Sequence, residues 1–336
     1  MNDRLLDRIP EHLQGSVSTA LSAVFGNAPV ETHETMSGGA SGALALRIGV
    51  AGTRYVLRVE ARRNRLRNPH QYTCMQIASD AGIAPRLHYA DAEAGVAIMD
   101  HIVEQPLHAY PGGAVMLTRD VAALAAKLHA TSMFPTVGDF RQLIRRMLAH
   151  IQSGLARGLL DTHVENFERI VVAYPWNPAA HVSCHNDPNP RNMLFDGTRL
   201  WLIDWETAYR NDPLVDVAIL AENHAPSPEQ ATTLFHAYLE RPPRSAEIAR
   251  LRVMRQWVRL YYAGLLLSAA VNPAAPMESL AAPTPDEFRA SVVAGTLRPG
   301  SLETRVVLSK MCLAGFAAEL RAPGYEESLA AAADLT

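Results

Sequence analysis

Three polar side chains near the middle of the chain, Asp187, Asn192 and Asp204, have types and spacing that suit chemistry on a phosphate group. Asp187 can accept a proton from a hydroxyl group. Asn192 and Asp204 offer hard oxygen ligands of the kind that Mg²⁺ prefers, and protein-bound Mg²⁺ usually keeps water and substrate phosphates in its remaining positions. The three residues therefore predict a site where a hydroxyl group meets a metal-bound phosphate.

The segment from Asn192 to Asp204 predicts a β-hairpin that brings its two end residues together. Two short apolar runs flank Asp196-Gly197, a dipeptide that strongly favours a turn. A hairpin folds Asp204 back beside Asn192, so that both side chains can reach one ion. His185, two residues before Asp187, is interpreted as a core histidine that holds this loop.

The order of these residues matches the arrangement in protein kinases, where a loop H-x-D-x-x-x-x-N precedes a metal-binding aspartate. A single H-x-D pair is common and usually structural. The joint pattern of Asp187, Asn192, a hairpin and Asp204 is much harder to meet by chance, although it needs its structural context. The pattern therefore favours phosphoryl transfer.

The composition is that of an ordinary globular protein. The chain has 336 residues, of which 48% are hydrophobic and 19% charged, with a net charge of -3, and its length predicts one or two domains. Because there is no basic surplus and no apolar run of about eighteen residues, we expect neither a nucleic-acid partner nor a membrane span. The scattered cysteines and the lack of an apolar signal segment predict a reduced, cytoplasmic protein.

The first third of the chain alternates between strands and turns. Strands are predicted over residues 30–36, 43–50, 55–60, 86–91 and 96–100, and helices over residues 4–25 and 69–81. A turn between the first two strands can bring backbone N–H groups to phosphate oxygens, and its candidate residues are Ser37, Gly38, Gly39, Ser41 and Gly42. By itself this signal is weak, because a plain hairpin turn has the same composition.

Arg58 lies in the third strand, where kinase folds place the lysine that holds the α- and β-phosphates. We favour a phosphate contact for Arg58 over a solvated strand arginine because of the turn that precedes it. Protein kinases pair this lysine with a glutamate on the next helix, but no Asp or Glu occurs between Glu60 and Asp80. Three polar residues are candidates to orient Arg58 instead: Gln71, Tyr72 and Gln76.

Beyond Glu104 the pattern changes from strands to helices. Met99 and His101 precede this change, in a segment suited to an inter-lobe hinge that binds adenine. The later predicted helices cover residues 115–130, 139–153, 162–173, 214–222, 228–239, 245–270, 286–294 and 302–320. We predict an α+β fold with two domains, a nucleotide-binding lobe of residues 1–103 and a helical lobe of residues 104–336.

With these features the chain resembles the aminoglycoside phosphotransferase and choline kinase superfamily, the small-molecule relatives of protein kinases. The resemblance is carried by Cys184-His185-Asn186-Asp187, Asn192 and Leu202-Ile203-Asp204-Trp205-Glu206. The Ile-Asp-x-Glu form, in place of Asp-Phe-Gly, points to the small-molecule branch. The resemblance implies a protein-kinase-like bilobal fold with a small antiparallel N-terminal lobe. It also implies ATP- and Mg²⁺-dependent transfer to a hydroxyl group of a small molecule.

The resemblance also implies roles for the residues of the central motif. Asp187 would be the base or the group that orients the acceptor hydroxyl, and Asn192 and Asp204 would bind Mg²⁺. Arg58 and the turn of residues 37–42 would hold the phosphates.

Four further residues take roles from the resemblance. Leu194 would form the floor of the adenine site, with Ile203 also binding nucleotide. Asp216 would support the catalytic loop. Glu206 is left open between metal-bound water, the acceptor and the loop backbone.

The acceptor is the least defined part of the prediction. Details of the motif resemble choline and ethanolamine kinases, so an amino-alcohol is favoured, while a sugar or an antibiotic stays open. Trp257, Tyr261 and Tyr262 share a late helix and could form a box for a quaternary ammonium, although aromatic residues at helical spacing are more often core. Acidic residues could instead attract a polycationic aminoglycoside, namely Glu206, Asp212 and Glu222.

Two other classes of function stay under consideration. A nucleotide-binding regulatory pseudokinase is favoured slightly by Arg58 and the missing helix glutamate, and opposed by the complete set of Asp187, Asn192 and Asp204. A metal hydrolase using His185, Asp187 and Asp204 is weaker, because no second histidine stands at ligand spacing.

Overall fold

The computed structural model describes residues 5–36, 43–60 and 68–333. The chain divides into a first unit, Met1–Val137 with Val182–Asp216, and a second unit, Gly138–His181 with Val217–Thr336. This division follows contacts within the chain and differs from the predicted boundary after residue 103. That boundary separates a nucleotide-binding lobe from a helical lobe, and it stays a prediction. Within the described ranges, no helix combines the length and apolar character needed to cross a membrane.

The first unit contains a five-stranded antiparallel sheet with the strand order β1-β2-β3-β5-β4. Its strands are β1 (Val30–Thr35), β2 (Leu44–Val50), β3 (Thr53–Val59), β4 (Leu87–Asp91) and β5 (Val96–Asp100). Alternating apolar residues favour half-buried strands, as in β3, and all five strands were predicted from the sequence.

One face of the sheet packs against helix α1 (Glu11–Phe25) and forms the apolar core of the first unit. Side chains alternate across β3, so Leu57 and Val59 lie in this core with 0% exposure. Arg58, between them, lies on the opposite face. The alternation therefore separates a structural face of the sheet from a face that can bind ligands.

Two short strand pairs hold the predicted catalytic segment. β6 (Val182–Cys184) pairs with a later strand, β9 (Tyr209–Asn211), while β7 (Met193–Phe195) pairs with β8 (Leu200–Leu202), and both pairs are antiparallel. The predicted hairpin between Asn192 and Asp204 is thereby confirmed. The β6–β9 pair was not predicted, because strands this short carry no periodic signal.

Helices make up most of the remaining described chain. The first unit also holds α2 (Gln71–Asp80) and α3 (Gly113–His129), and α6 (Pro213–His224) carries Asp216 in its first turn. The helices of the second unit are α4 (Phe140–Gln152), α5 (Asp161–Ala173), α7 (Pro228–Leu239), α8 (Ser245–Leu267), α9 (Pro285–Val293), α10 (Leu302–Leu320) and α11 (Tyr325–Ala333). Of these, α8 contacts α4, α10 and α11. The predicted α+β class is confirmed.

Asp196 closes the turn of the β7–β8 hairpin. Its carboxylate accepts hydrogen bonds from the backbone N–H groups of Thr198 and Arg199 and from Trp201 Nε1, each at 2.8 Å. Burial would raise the pKa of Asp196, but the hydrogen bonds from Thr198, Trp201 and Arg199 outweigh it and hold the pKa below its usual range. Gly197 follows with a φ of 94°, a conformation that favours glycine.

We expect Asp196→Ala to lower the free energy of unfolding by about 1–2 kcal/mol, because several hydrogen bonds in a partly exposed turn are lost. Chemical denaturation at pH 7 measures this loss. A carboxylate with a lowered pKa stabilises fully above its unfolded pKa of about 4, so the difference from wild type should shrink at lower pH. The control is Asp286→Ala, which removes an exposed surface ion pair with Arg289 and should cost at most about 0.5 kcal/mol. Equal losses in both variants would contradict the role of Asp196.

Candidate active site

The loop after β6 has a backbone conformation that its own side chains stabilise. Asn186 has a φ of 62°, in the left-handed region that asparagine tolerates better than most residues. Its Nδ2 donates to the carbonyl oxygens of Thr207 at 2.9 Å and Tyr209 at 3.2 Å, and its Oδ1 accepts from Asn211 Nδ2 at 2.7 Å. Hydrogen bonds of Asn186, the residue before Asp187, therefore hold the loop against β9 and the residues just before it.

Asp216 holds the same loop through its backbone. Oδ2 of Asp216 accepts from the N–H of His185 at 2.8 Å, and Oδ1 accepts from the N–H of Asn186 at 2.7 Å. Nε2 of His129 lies 3.0 Å from Oδ2. Asp216 is only 1% exposed, so a buried carboxylate has donors at both oxygens. These contacts are those that the predicted supporting role needs, and sequence reasoning did not find His129.

His185 is completely buried, at 0% exposure. Its Nε2 lies 2.9 Å from the carbonyl oxygen of Ile203, to which it donates, and its ring lies 4.7 Å from that of Trp205. The side chain thus joins the loop to the end of the hairpin. These contacts agree with the interpretation of His185 as a core histidine.

Two amides orient the carboxylate of Asp187. Asn189 Nδ2 donates to Oδ1 at 2.8 Å, and Asn192 Nδ2 donates to Oδ2 at 3.1 Å and to the Asp187 carbonyl oxygen at 3.0 Å. A carboxylate held in this way is positioned before an acceptor arrives. Sequence reasoning missed Asn189, although its turn-forming spacing in Asp187-Pro188-Asn189-Pro190 was a usable signal.

The hairpin brings Asn192 and Asp204 together as predicted. The backbone N–H of Ile203 donates to the carbonyl oxygen of Asn192 at 2.9 Å, one residue before Asp204. Asp204 has a φ of 66°, and strained non-glycine residues of this kind concentrate at active sites. The amide nitrogen of Asn192 donates a hydrogen bond to Asp187. The amide oxygen of Asn192 and the carboxylate of Asp204 are therefore the groups suited to a cation. This set of hard oxygen donors fits Mg²⁺.

Four predicted residues line one pocket of the first unit: Arg58, Met99, Ile203 and Asp204. The pocket combines an apolar wall with a few charged and polar groups, as small-molecule sites generally do. Gln71, which was predicted as a support of Arg58, also lines the pocket, and the lining residues that sequence reasoning did not place there are Met75, Pro85 and Trp205. Gln71 and Met75 lie on α2, Pro85 follows α2, and Trp205 follows β8, so only the fold brings these residues together.

Arg58 is the positive charge of this pocket, and a carboxylate of its own strand segment holds it. Nη1 of Arg58 donates to Glu60 Oε1 at 2.5 Å and lies 3.4 Å from Tyr72 Oη, while Nη2 lies 3.9 Å from Glu206 Oε2. Burial would lower the pKa of Arg58, but Tyr72 and the carboxylates of Glu60 and Asp204 raise it overall. Arg58 therefore carries a firmly held positive charge.

The predicted supports of Arg58 are only partly found. Tyr72 contacts Arg58 directly, and Gln71 contacts it indirectly, through a hydrogen bond to Glu60. Gln76 instead donates to Asp80 at 2.8 Å, and among the described residues it forms no hydrogen bond with Arg58. The main partner, Glu60, was overlooked because the search for a carboxylate was confined to the following helix.

The remaining nucleotide-site predictions are placed unevenly. The turn Ser37–Gly42 lies outside the described residues. His101 follows β5, where burial and the charges of Arg47 and Arg54 lower its pKa. Leu194 is half-buried on β7, opposite Trp201. Their contacts with a nucleotide stay predictions.

Two acidic residues predicted near the acceptor have structural partners. Asp212 Oδ1 accepts from the backbone N–H of Leu214 at 2.8 Å and so caps α6. Glu222 accepts from Arg255 Nε at 2.5 Å and from Arg259 Nε at 3.1 Å. The pairing of Glu222 weakens the case that it attracts a cationic acceptor.

The three aromatic residues of the predicted ammonium box lie on α8 of the second unit. Trp257 is 0% exposed, with the rings of Tyr174 and Trp176 at 5.0 and 5.6 Å. Tyr261 is 3% exposed, and its ring lies 5.3 Å from that of Tyr262. Burial of Trp257 and Tyr261 favours the core alternative, and the box stays a prediction.

One group of possible metal ligands lies in the described part of the chain: His129, Cys184 and Asp216. Burial, together with the nearby carboxylates of Asp216 and Asp212, raises the pKa of the Cys184 thiol well above its usual value. The hydrolase alternative required a different set, His185, Asp187 and Asp204, and that set does not form such a group in the described ranges.

The sequence of this chain matches known proteins in two ways. Residues 32–252, more than half of the chain, match the model of a family described as the phosphotransferase enzyme family. Protein LicA of Haemophilus influenzae is 34% identical over 110 residues, which are 32% of this chain and 39% of LicA. The aligned part of this chain therefore spans well under half the length of that curated relative.

The fold also matches solved structures. A choline/ethanolamine kinase family protein from Mesorhizobium loti has a TM-score of 0.68 and 21% identity, covering 96% of this chain and 99% of that one. Choline kinase LicA from Streptococcus pneumoniae has a TM-score of 0.63 and 16% identity, covering 92% and 100%. LicA in complex with AMP has the same TM-score of 0.63. At these identities the likeness concerns the fold.

We expect Asp216→Ala to lower the free energy of unfolding by about 3 kcal/mol, because two buried backbone N–H groups lose their acceptor. Urea denaturation followed by circular dichroism measures the change. Asp80→Ala is the matched control, since exposed Asp80 only accepts from Gln76 and should cost at most about 0.5 kcal/mol. A loss below about 1 kcal/mol for Asp216→Ala would contradict its role in holding the loop.

Proposed function

Because this chain belongs to the phosphotransferase enzyme family, we propose that it transfers the γ-phosphoryl group of ATP to a hydroxyl group of a small molecule, with Mg²⁺. The observation that carries the proposal is the arrangement in the first unit. The oriented carboxylate of Asp187, the Asn192–Asp204 pair and the pocket around Arg58 all belong to that unit. The family and fold were both predicted from the sequence.

Asp187 is proposed to receive or orient the acceptor hydroxyl. Its two oxygens are held by Asn189 and Asn192, so the carboxylate has one orientation before the acceptor binds. Positioning is the main contribution that a protein makes to phosphoryl transfer, because the transition state needs little covalent help.

Asn192 and Asp204 are proposed to hold Mg²⁺ through the amide oxygen and the carboxylate. When bound, Mg²⁺ neutralises the charge on the phosphate oxygens. The left-handed backbone of Asp204 and the Ile203–Asn192 hydrogen bond keep the two side chains at neighbouring positions. Holding both ligands in place before the ion arrives reduces the entropy lost on binding.

Arg58 is proposed to bind the phosphates, with Met99 and Ile203 in the same pocket. His101 and Leu194 are proposed to contact the adenine. Nη2 of Arg58 is buried and makes no hydrogen bond among the described residues. A buried donor without an acceptor is costly, and a phosphate oxygen would satisfy it.

An amino-alcohol such as choline or ethanolamine is the proposed acceptor. The LicA match at 34% identity and the structural likeness to choline kinases support this class. An aminoglycoside, another antibiotic or a sugar is the alternative within the same chemistry. The ion pairing of Glu222 with two arginines speaks against a strongly acidic acceptor site.

The regulatory alternative, a pseudokinase that binds nucleotide without turnover, rested partly on the missing helix glutamate. Glu60 supplies a carboxylate to Arg58 and so removes that reason. The complete set of Asp187, Asn192 and Asp204 also supports turnover.

ATP with Mg²⁺ should raise the thermal stability of the protein, because a ligand at a hundred times its Kd adds about 2.7 kcal/mol to the free energy of unfolding. Differential scanning fluorimetry compares ATP plus Mg²⁺ with ATP plus EDTA. Asp204→Ala should lose the magnesium-dependent part of the shift, whereas Asp80→Ala should keep it. No shift of the wild type at millimolar nucleotide would count against the kinase assignment.

ADP release should depend on the acceptor, and Asp187→Asn should slow it by at least about 100-fold while leaving the fold intact. A coupled ADP assay with choline, ethanolamine, a sugar and an aminoglycoside identifies the acceptor class. Asp80→Asn is the control for the substitution itself. Turnover near the wild-type rate in Asp187→Asn would refute the assigned role. ADP release that no acceptor accelerates would favour the regulatory alternative.

A further inference from the structure

Glu60 is the residue around which the polar groups of the Arg58 pocket are arranged. Its Oε1 accepts from Arg58 Nη1 at 2.5 Å, from Tyr72 Oη at 3.1 Å and from the amide nitrogen of Gln71. Three donors from β3 and α2 therefore converge on one carboxylate oxygen. The side chains of Arg58 and Glu60 are only 13% and 11% exposed, so solvent screens the pair weakly.

The position of Glu60 is built by the neighbouring turn. The backbone N–H of Glu60 donates to the carbonyl oxygen of Gly95 at 2.9 Å. Gly95 has a φ of 70°, and a Cβ at this position would lie 2.9 Å from the Cβ of Glu60. Glycine is needed here both for its conformation and for the space that Glu60 occupies. The β4–β5 turn thus leaves room for this glutamate.

The contacts of Glu60 determine which nitrogen of Arg58 faces the ligand. Nη1 is engaged by Glu60 and Tyr72. Nη2 is buried and makes no hydrogen bond among the described residues, although Glu206 Oε2 lies 3.9 Å from it. The guanidinium is a rigid planar fork, so fixing one nitrogen also fixes the direction of the other. Glu60 therefore leaves Nη2 as the donor that is available to a phosphate oxygen.

We propose that Glu60 is the positioning residue for Arg58 and determines the affinity of the site for ATP. This inference rests on the proposed phosphate contact of Arg58. It assigns to a strand-end glutamate the task that a helix glutamate performs in protein kinases. Gln71 and Tyr72, from α2, complete the arrangement as hydrogen-bond donors to Glu60.

The test is a double-mutant cycle on the Kd for ATP with Mg²⁺, measured by calorimetry. Glu60→Gln should weaken binding about tenfold, equivalent to about 1.4 kcal/mol. In an Arg58→Met background the same substitution should change the Kd by less than about twofold, because its effect passes through Arg58. In the coupled assay the KM for ATP should rise in Glu60→Gln while the KM for the acceptor stays unchanged. Glu60→Asp should recover part of the affinity.

Glu34→Gln is the matched control. Glu34 also pairs with an arginine of the same sheet, Arg47, but the Glu34 side chain is 67% exposed. The Glu34→Gln substitution should therefore leave the Kd for ATP unchanged. Equal Kd values for wild type and Glu60→Gln would overturn this inference alone, as would equal losses with and without Arg58. A wild type that binds no ATP would overturn the proposed function together with it. The conservative Glu60→Gln substitution keeps the volume of the side chain, and its melting temperature checks that it folds.

Discussion

The carboxylate of Asp216 is the group on which the geometry of the active-site loop depends. A buried charge is costly unless donors surround it, and here the N–H groups of His185 and Asn186 and the ring of His129 provide them. The bonds act on the backbone, so they fix the loop whatever ligand is present. Asp187 is the next residue after Asn186, so the fixed backbone determines the direction of its side chain.

The hairpin is the second constraint on the site. Asp196 closes its turn, and the bond between Ile203 and Asn192 continues the pairing to the point where Asp204 enters the left-handed region. Strain in Asp204 is tolerated because both flanking residues are fixed. Hydrogen bonds with Asn192 and His185 hold Ile203, and burial holds Trp205. A strained residue held in this way cannot relax away from its ligand position.

The Arg58 site shows that the chemistry requires a carboxylate at a particular position in space. The carboxylate need not come from a particular position in the sequence. The helix that follows β3 offers Gln71 and Tyr72 but no acid, and Glu60 fills the same need from the end of the strand. Sequence reasoning searched the helix, because the resemblance to protein kinases placed the glutamate there. The missing acid then counted in favour of a regulatory protein, and the observed pairing removes that inference.

Local patterns in the sequence were sufficient for the strands of the large sheet, for most helices and for the β7–β8 hairpin, since periodicity and turn chemistry act over a few residues. The set of Asp187, Asn192 and Asp204 was equally readable, because its spacing lies within one short segment. Glu60 lies only two residues beyond Arg58 and was missed because the search for a carboxylate was confined to the following helix. Partners that come from distant segments, such as His129 on Asp216, were not readable. Such contacts depend on how strands and helices pack, and packing is decided by the whole chain at once. The sequence thus determined which groups are present for chemistry, while the tertiary structure decided which of them hold one another in place.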